Sequence, residues 1–284
     1  MTAGPTLSSD LFDPDVWADM IQADFKGKAR VVGWAQSDNT LVGKPGSTIH
    51  FPKWNTLGEF EDLTENVDIV PEKLTQSDGT ATIKEVGKGF SFTDTADLVG
   101  LGDIDSEGTR QMGTLAARKI DADLIVESAA ETEASGTTRE QKPYKLDVSG
   151  TTSALSWSVI VDAIAMFGDE WEADTNTGLF IRSEQMAQVM KDDEFIKADK
   201  AGSTVVKTGE IGMIGGMPVV VTNRLPKNEF RIIQRGALGV LFKRRPIIER
   251  DRDILGRKWV VTANVHYAVK RLNDKGIVVG KLQA

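Results

Sequence analysis

The chain has 284 residues, a net charge of −8, 40% hydrophobic residues and 27% charged residues, a composition that excludes collagen-like and intrinsically disordered proteins. It has no cysteine and only two histidines, which excludes disulfide scaffolds, thiolate metal sites, cysteine nucleophiles and a histidine-rich metal site within one subunit. Because no apolar stretch is long enough to span a bilayer and the first ten residues lack the pattern of a signal peptide, we expect a protein of a reducing cytoplasm.

The charges are unevenly distributed along the chain. Residues 61–140 carry 18 acidic and 7 basic side chains, whereas residues 201–284 carry 16 basic and 6 acidic ones. These two regions can meet within one fold, or one subunit can present its acidic region to the basic region of a neighbour. A basic tail for nucleic acid is less favoured, because the basic residues alternate with apolar ones in strand-like segments.

The N-terminal 46 residues are predicted to form an extended arm with a short helix that begins at Asp13-Pro14-Asp15, where proline suits the first helical position. Residues 47–93 then predict two long strands separated by an extended loop over 55–79. A loop of this length is usually functional. Since a two-stranded ribbon has no core of its own, the ribbon needs a partner surface.

The strongest helical pattern covers residues 105–131, where apolar residues recur at three- and four-residue steps and Asp105 or Ser106 is the expected cap. At 1.5 Å per residue this helix is roughly 40 Å long, which is unusual for a domain of this size.

The remaining chain predicts a second unit followed by strands. In residues 151–226 we expect, in order, a helix over 156–171, a strand over 178–182, a helix over 183–190 capped by Ser183, and a strand–glycine turn–strand over 209–223. Beyond it we expect strands over 231–249 and 258–272, which flank a polar stretch at 250–257. A hairpin turn over 274–276 then leads into a last strand at 277–279.

No catalytic, cofactor-binding or metal-binding motif is found, so we predict that the protein is not an enzyme and has no cofactor. The nucleophile elbow Gly-x-Ser-x-Gly is absent, and the glycines of 209–215 lead into a strand rather than a phosphate-binding helix. His50 and His266 are interpreted as surface or interface residues. The basic cluster at 243–246 is interpreted as a donor of salt bridges between subunits rather than a DNA contact.

Taken in order, these elements resemble the major capsid proteins of tailed bacteriophages of the Hong Kong ninety-seven type. The resemblance is carried by residues 88–94 (KGFSFTD), by residues 209–223 (GEIGMIGGMPVVVTN), and by Gly236-Ala237-Leu238-Gly239 followed by Arg250-Asp251 and Tyr267-Ala268-Val269. The ordered set is more specific than any one of these motifs.

The resemblance implies an α+β phage capsid fold with an N-terminal arm, an extended two-stranded loop, a long spine helix, and peripheral and axial domains. The corresponding boundaries are 1–46 for the arm, 47–93 for the extended loop, 94–150 with 227–284 for the peripheral domain that contains the spine helix, and 151–226 for the axial domain.

The implied function is that of a major capsid protein that self-assembles into the icosahedral shell around the double-stranded DNA genome of a tailed phage. Its expected partners are further copies of itself in hexamers and pentamers, portal and scaffolding proteins, decoration proteins, and packaged DNA bound without sequence specificity. No membrane is expected, and the protein is placed in the virion after assembly in the host cytoplasm. Three alternatives stay open: an encapsulin-type nanocompartment shell, an α+β enzyme or binding domain centred on 151–226, and a nucleic-acid-binding module at 243–258.

The extended loop is predicted to contact a neighbouring subunit, because its acidic and apolar side chains cannot all be satisfied by a two-stranded ribbon. The predicted intersubunit contacts are Phe60, Leu63, Glu61, Asp62, Glu65 and Asp68 on the loop, and Arg244, Arg245, Arg250 and Arg252 on the receiving surface.

Overall fold

The computed structural model describes nine segments of the chain and a few positions within the extended loop. The segments are 29–38, 46–54, 76–100, 102–131, 142–150, 152–168, 171, 176–192, 212–283 and, in the loop, 62, 68–69 and 71–74. The predicted helix at Asp13-Pro14-Asp15 lies outside these residues, as does most of the 55–79 loop.

A long helix, α2, is the central element, as predicted. It runs over Ile104–Ala129, 26 residues or about 39 Å, and follows a short helix, α1, over Asp94–Val99. Its cap is Asp103, whose carboxylate accepts a hydrogen bond from the Ser106 amide at 3.0 Å, so the cap lies before the predicted Asp105 or Ser106. The helix therefore begins one residue earlier than the apolar periodicity indicates.

One face of α2 packs on a four-stranded sheet in the order β1–β10–β11–β4. These strands are β1 Gln36–Asp38, β4 Lys84–Thr93, β10 Leu238–Asp253 and β11 Lys258–Arg271. Val261, Val265 and Tyr267 alternate along β11 and are buried, whereas Thr262 is exposed. This face of the sheet is buried because it meets α2.

The hairpin between β10 and β11 is longer than predicted. Residues 250–253, expected as part of a polar connection, continue β10, and only Ile254 to Arg257 form the turn, whereas β11 begins at Lys258 as predicted. The Asp253 carboxylate accepts a hydrogen bond from the Gly256 amide at 2.8 Å and closes this turn. The charged side chains at the end of β10 do not show the apolar alternation of a half-buried strand, because both faces of this end are exposed to solvent.

The chain between β1 and β4 forms a separate two-stranded ribbon. It consists of β2 Thr48–Trp54 and β3 Gln76–Thr82, paired antiparallel from Thr48 opposite Thr82 to Trp54 opposite Gln76. The predicted single strand over 80–93 is therefore two strands, β3 and β4, interrupted at Ile83. Ala81 packs with Leu241 and Ala268, which fixes the base of the ribbon to the four-stranded sheet.

A six-stranded sheet forms the second layer, in the order β5–β12–β9–β6–β8–β7. Its elements with the two helices beside it are β5 Tyr144–Asp147, α3 Trp157–Ala165, β6 Thr177–Ile181, α4 Ser183–Met190, β7 Met213–Ile214, β8 Met217–Val221, β9 Glu229–Gln234 and β12 Ile277–Lys281. The predicted strand–turn–strand is confirmed: Gly215 and Gly216 turn between β7 and β8 with φ of +58° and +80°, which only glycine adopts readily.

Three expectations for this sheet need correction. Helix α3 is shorter than the predicted 156–171, and the cap of α4 is Arg182 rather than Ser183, which is the first helical residue and bonds Asn223 instead. The turn at 274–276 does not close a hairpin, because β11 belongs to the four-stranded sheet while β12 pairs with β9 and β5. Strand pairings between residues more than a hundred positions apart leave no local trace in a sequence.

The two sheets share one hydrophobic core beneath the C-terminal half of α2. This core includes Ile120 and Leu124 from α2, Phe180 and Ile233 from the six-stranded sheet, and Val240 and Tyr267 from the four-stranded sheet. The six-stranded sheet also contains β5, β9 and β12, which come from segments assigned by prediction to the peripheral domain.

Candidate assembly surface

The predicted contact residues of the extended loop fall partly within the described residues. Asp62 and Asp68 are exposed, whereas Phe60, Glu61, Leu63 and Glu65 lie outside the part of the chain that the structure describes.

Two apolar side chains of the same loop, which the prediction did not select as contacts, are exposed. Ile69 keeps 69% of its surface accessible and Leu74 keeps 51%. The acidic Asp68 and Glu72 beside them are exposed as well. The described part of the loop thus exposes aliphatic and acidic side chains, together with Lys73.

The four predicted arginines all lie on β10, and three of them pair within their own subunit. Arg250 pairs with Asp105 at the start of α2, Arg252 pairs with Asp94 at 2.9 Å, and Arg244 pairs with Glu249 at 3.3 Å. Such exposed pairs contribute about 0.2–1 kcal/mol each. Arg245 is exposed and forms no ion pair with a residue that the structure describes.

A groove of about 250 Å³ opens between α2 and the four-stranded sheet. Its apolar lining comes from Val86, Met112, Leu115, Ala116, Ala263 and Val265, together with Pro246 of β10. Lys88 and Lys119 also line it. Small residues on facing elements, Gly87, Ala116 and Ala263, leave this space unfilled, and the sequence pattern gave no sign of it.

A second exposed apolar patch lies at the turn between β10 and β11. Leu255 has 97% and Ile254 77% of its surface exposed, and Leu98 on α1 is also exposed. Helix α1 is tied to this turn, because the Asp94 amide donates to the Arg257 carbonyl at 3.1 Å. Two consecutive large aliphatic residues at a turn are unusual, and this signal was available in the sequence.

The strongest cluster of titratable groups is structural. The Asp123 carboxylate on α2 accepts hydrogen bonds from Tyr267, Lys119 and Lys84, the last at 2.6 Å. Burial raises the pKa of Asp123, but these hydrogen bonds outweigh it and hold the pKa below its usual value. Burial and the hydrogen bond to Asp123 raise the pKa of Tyr267. The cluster joins α2, β4 and β11.

Neither histidine stands in a catalytic arrangement that the structure describes. His266 Nε2 lies 3.5 Å from a Glu85 carboxylate oxygen, on the half-exposed face of β11, and the side chain of His50 is not described. Among the described residues, no group of three or more acidic or histidine side chains is placed to hold a metal ion. No helix in the described segments is long and apolar enough to cross a membrane.

Comparisons with known proteins identify the family of this chain. The sequence model of a protein family, described as "Phage capsid protein", matches residues 77–280 of this chain. The chain therefore belongs to the phage capsid protein family. The major capsid protein of Staphylococcus phage phiMR11 is 29% identical over 269 residues, which cover 94% of this chain and 92% of that protein.

Solved capsid structures share the fold. The capsid of a native GTA particle superposes with a TM-score of 0.74 at 15% identity and 94% coverage of both chains. Mycobacterium phage Che8 gives a TM-score of 0.70 at 17% identity, covering 95% of this chain and 97% of that one. These findings confirm the predicted α+β capsid fold. The protein is a phage major capsid protein, a structural component of the phage head.

Proposed function

We propose that copies of this chain assemble as hexamers and pentamers into a closed icosahedral shell that encloses the double-stranded DNA of a tailed phage. Assembly takes place in the host cytoplasm, with portal, scaffolding and decoration proteins as partners. Residues 151–226 lie nearest the local symmetry axes, and residues 94–150 with 227–284 form the periphery of each capsomer.

The observation that carries this proposal is the projecting β2–β3 ribbon. Its strands pair with each other in a sheet of their own, and beyond them Ile69 and Leu74 are exposed. A two-stranded ribbon cannot cover such side chains by itself. A neighbouring copy of the chain supplies the missing surface.

The groove beside α2 has the chemistry that this loop requires. Its lining is apolar, and Lys88 gives it a positive charge, whereas Lys119 is already paired with Asp123. The loop offers aliphatic side chains next to Asp68 and Glu72, so apolar and charged groups match between two copies. We therefore assign the groove, together with Arg245, as the receiving surface.

Apolar contacts dominate the stability of this interface. A fully buried Leu, Ile or Phe side chain contributes about 1.5–3 kcal/mol. An exposed ion pair contributes about 0.2–1 kcal/mol. Phe60, Leu63 and Ile69 are therefore the anchors, whereas the carboxylates steer the loop toward Lys88.

The test replaces residues 57–74 with a short Gly/Ser linker, which leaves β2 and β3 intact. We expect a soluble chain that unfolds cooperatively like the wild type but sediments as small oligomers and shows no shells by electron microscopy. In a matched pair, the double change Phe60→Ser and Leu63→Ser should weaken assembly more than Glu61→Gln and Asp62→Asn.

Two outcomes contradict the proposal. Normal assembly of the loop-deleted chain means that the ribbon is dispensable, and failure of that chain to fold means that the loop belongs to its own subunit's core. A wild-type chain that remains a compact monomer with enzymatic turnover or DNA affinity would support the rival classes instead.

A further inference from the structure

Three consecutive backbone amides converge on one buried carboxylate. Asp121, on α2, is 3% exposed and accepts hydrogen bonds from the amides of Arg30 at 2.7 Å, Val31 at 3.0 Å and Val32 at 3.0 Å. Hydrogen bonds from N–H groups to an ionised carboxylate are about twice as strong as neutral ones. The segment that begins at residue 30 is thereby held against the middle of the long helix.

The same segment is fixed to the six-stranded sheet by Trp34. Its ring packs edge-on against Phe180 with ring centroids 5.8 Å apart. Gly178 lies directly beneath the ring, where a Cβ atom would come within 2.9 Å of it. The Trp34 carbonyl also accepts a hydrogen bond from the Gly236 amide at 2.9 Å.

The segment is joined to the four-stranded sheet by β1. This strand adds to the edge of β10 in parallel, with Gln36 opposite Gly239 and Asp38 opposite Leu241. Residues 30–38 therefore contact α2, the six-stranded sheet and the four-stranded sheet within nine residues.

We propose that residues 30–38 act as a strap, locked by Asp121, that holds the two sheets at one angle and thereby sets the curvature of the shell. A closed assembly of identical subunits needs every subunit to present its contact surfaces at the same angles. The proposed receiving groove lies on the four-stranded sheet, whereas residues 151–226, proposed to lie nearest the symmetry axes, contribute β6, β7 and β8 to the six-stranded sheet. A change in the angle between the sheets therefore changes the angle between neighbouring subunits. Release of the strap makes that angle variable.

The lock is strong because its alternative is unfavourable. In the folded subunit the Asp121 carboxylate is buried with all three amide donors in place, and a buried charge that loses its hydrogen-bond donors is strongly destabilising. The strap is thus bound in the folded subunit, and removing the carboxylate removes the hydrogen bonds that tie it to α2, while Trp34 and β1 keep their contacts.

The test measures the strap and the shell separately in the full-length chain. Asp121→Ala removes the acceptor, and Arg30→Pro removes one donor at a position whose side chain is exposed, with Ala29→Pro as the control for the backbone restriction that proline adds. Matched controls are Asp162→Asn, an exposed aspartate on α3, and Ala29→Pro, one residue before the strap. Hydrogen exchange of the amides at 31–38 is followed by mass spectrometry on unassembled subunits, and shell diameters are measured by cryo-electron microscopy.

We expect at least tenfold faster exchange over 31–38 in both test variants, unchanged exchange in β11, and a broad range of shell diameters or open fragments. The controls should match the wild type in both measurements. Unchanged strap exchange in Arg30→Pro, or faster exchange with shells of wild-type uniformity, would overturn the proposal.

Two further results are informative in different ways. If Asp121→Ala does not fold, the exchange rates and shell diameters of Arg30→Pro alone support or overturn the proposal. The shell measurement rests on the proposed function, so a wild-type chain that forms no shells contradicts that function, whereas the exchange data still decide whether Asp121 locks the strap.

Discussion

Gly108 sits on α2 where the ring of Phe90 on β4 approaches the helix backbone. A Cβ atom at this position would lie 2.2 Å from the ring. Gly113, on the same helix, has nothing within 4 Å of an added Cβ. Two glycines in one helix therefore serve different purposes, and only one of them is required by packing.

These two glycines give a matched prediction. Gly108→Ala should lower the free energy of unfolding by about 1–3 kcal/mol, because overpacking displaces Phe90. Gly113→Ala should raise it by roughly 0.5–1 kcal/mol, because alanine is the better helix former. Urea unfolding of both variants checks the pair, and equal stabilisation by both would show that Phe90 yields without cost.

The lowered pKa of Asp123 predicts a pH dependence. A carboxyl whose pKa is lower in the folded than in the unfolded state stabilises the fold above the unfolded value, which is near 3.8, and this stabilisation is lost as pH falls through the folded value. The free energy of unfolding should therefore fall below about pH 4 more steeply in the wild type than in Asp123→Asn. Parallel curves for the two proteins would contradict this assignment.

At the scale of elements, the C-terminal end of α2 is held from both sheets. Arg271 of β11, almost fully buried, donates to the carbonyls of Glu127, Ser128 and Ala130, and pairs with Asp274 at 2.5 Å. Arg231 of β9 donates to the Ser128 hydroxyl at 3.3 Å. Carbonyls at the helix end are thus satisfied by the guanidinium of Arg271, whereas Arg231 holds the Ser128 side chain.

We predict that Arg271→Ala lowers the free energy of unfolding by about 3–5 kcal/mol, since it leaves Asp274 and the helix carbonyls without their buried partner. Arg245→Ala, a loss of the same side chain on exposed β10, should change it by less than about 0.5 kcal/mol. Thermal unfolding of unassembled subunits distinguishes the two. Similar losses in both variants would mean that the helix end finds other donors.

The sequence predicted those elements whose signals are local. The apolar periodicity located α2 and α4 to within a few residues, and the paired glycines located the β7–β8 turn. The sequence did not predict the contact between Asp121 and residue 30, because the two partners are about 90 positions apart. It did not predict the groove either, because an unfilled space between elements leaves no periodicity or motif in the sequence. The loop was predicted as a contact surface from its composition alone, and this remains a prediction.

For the whole molecule, the charge balance predicts weak binding of DNA. The basic residues of 243–258 include Arg250 and Arg252, whose pairs with Asp105 and Asp94 already neutralise them. Assembled shells should therefore bind duplex DNA weakly, with little change in affinity between 50 and roughly 200 mM salt, conditions under which many phosphate contacts would cost orders of magnitude. A steep salt dependence in filter binding would favour the nucleic-acid-binding alternative.

The position of β12 in the six-stranded sheet has a consequence for synthesis. It lies between β5 and β9, yet it is made 130 residues after β5. At 5–20 residues per second, a ribosome needs roughly 7–26 s to cover that distance. During this time the edge of β5 has no partner, and once β9 is made its edge is open as well. Open strand edges invite wrong pairing with other nascent chains. The nascent polypeptide must therefore be kept apart from other nascent copies until β12 has been synthesised. Completion of translation, rather than encounter between subunits, is then the first step that limits head formation.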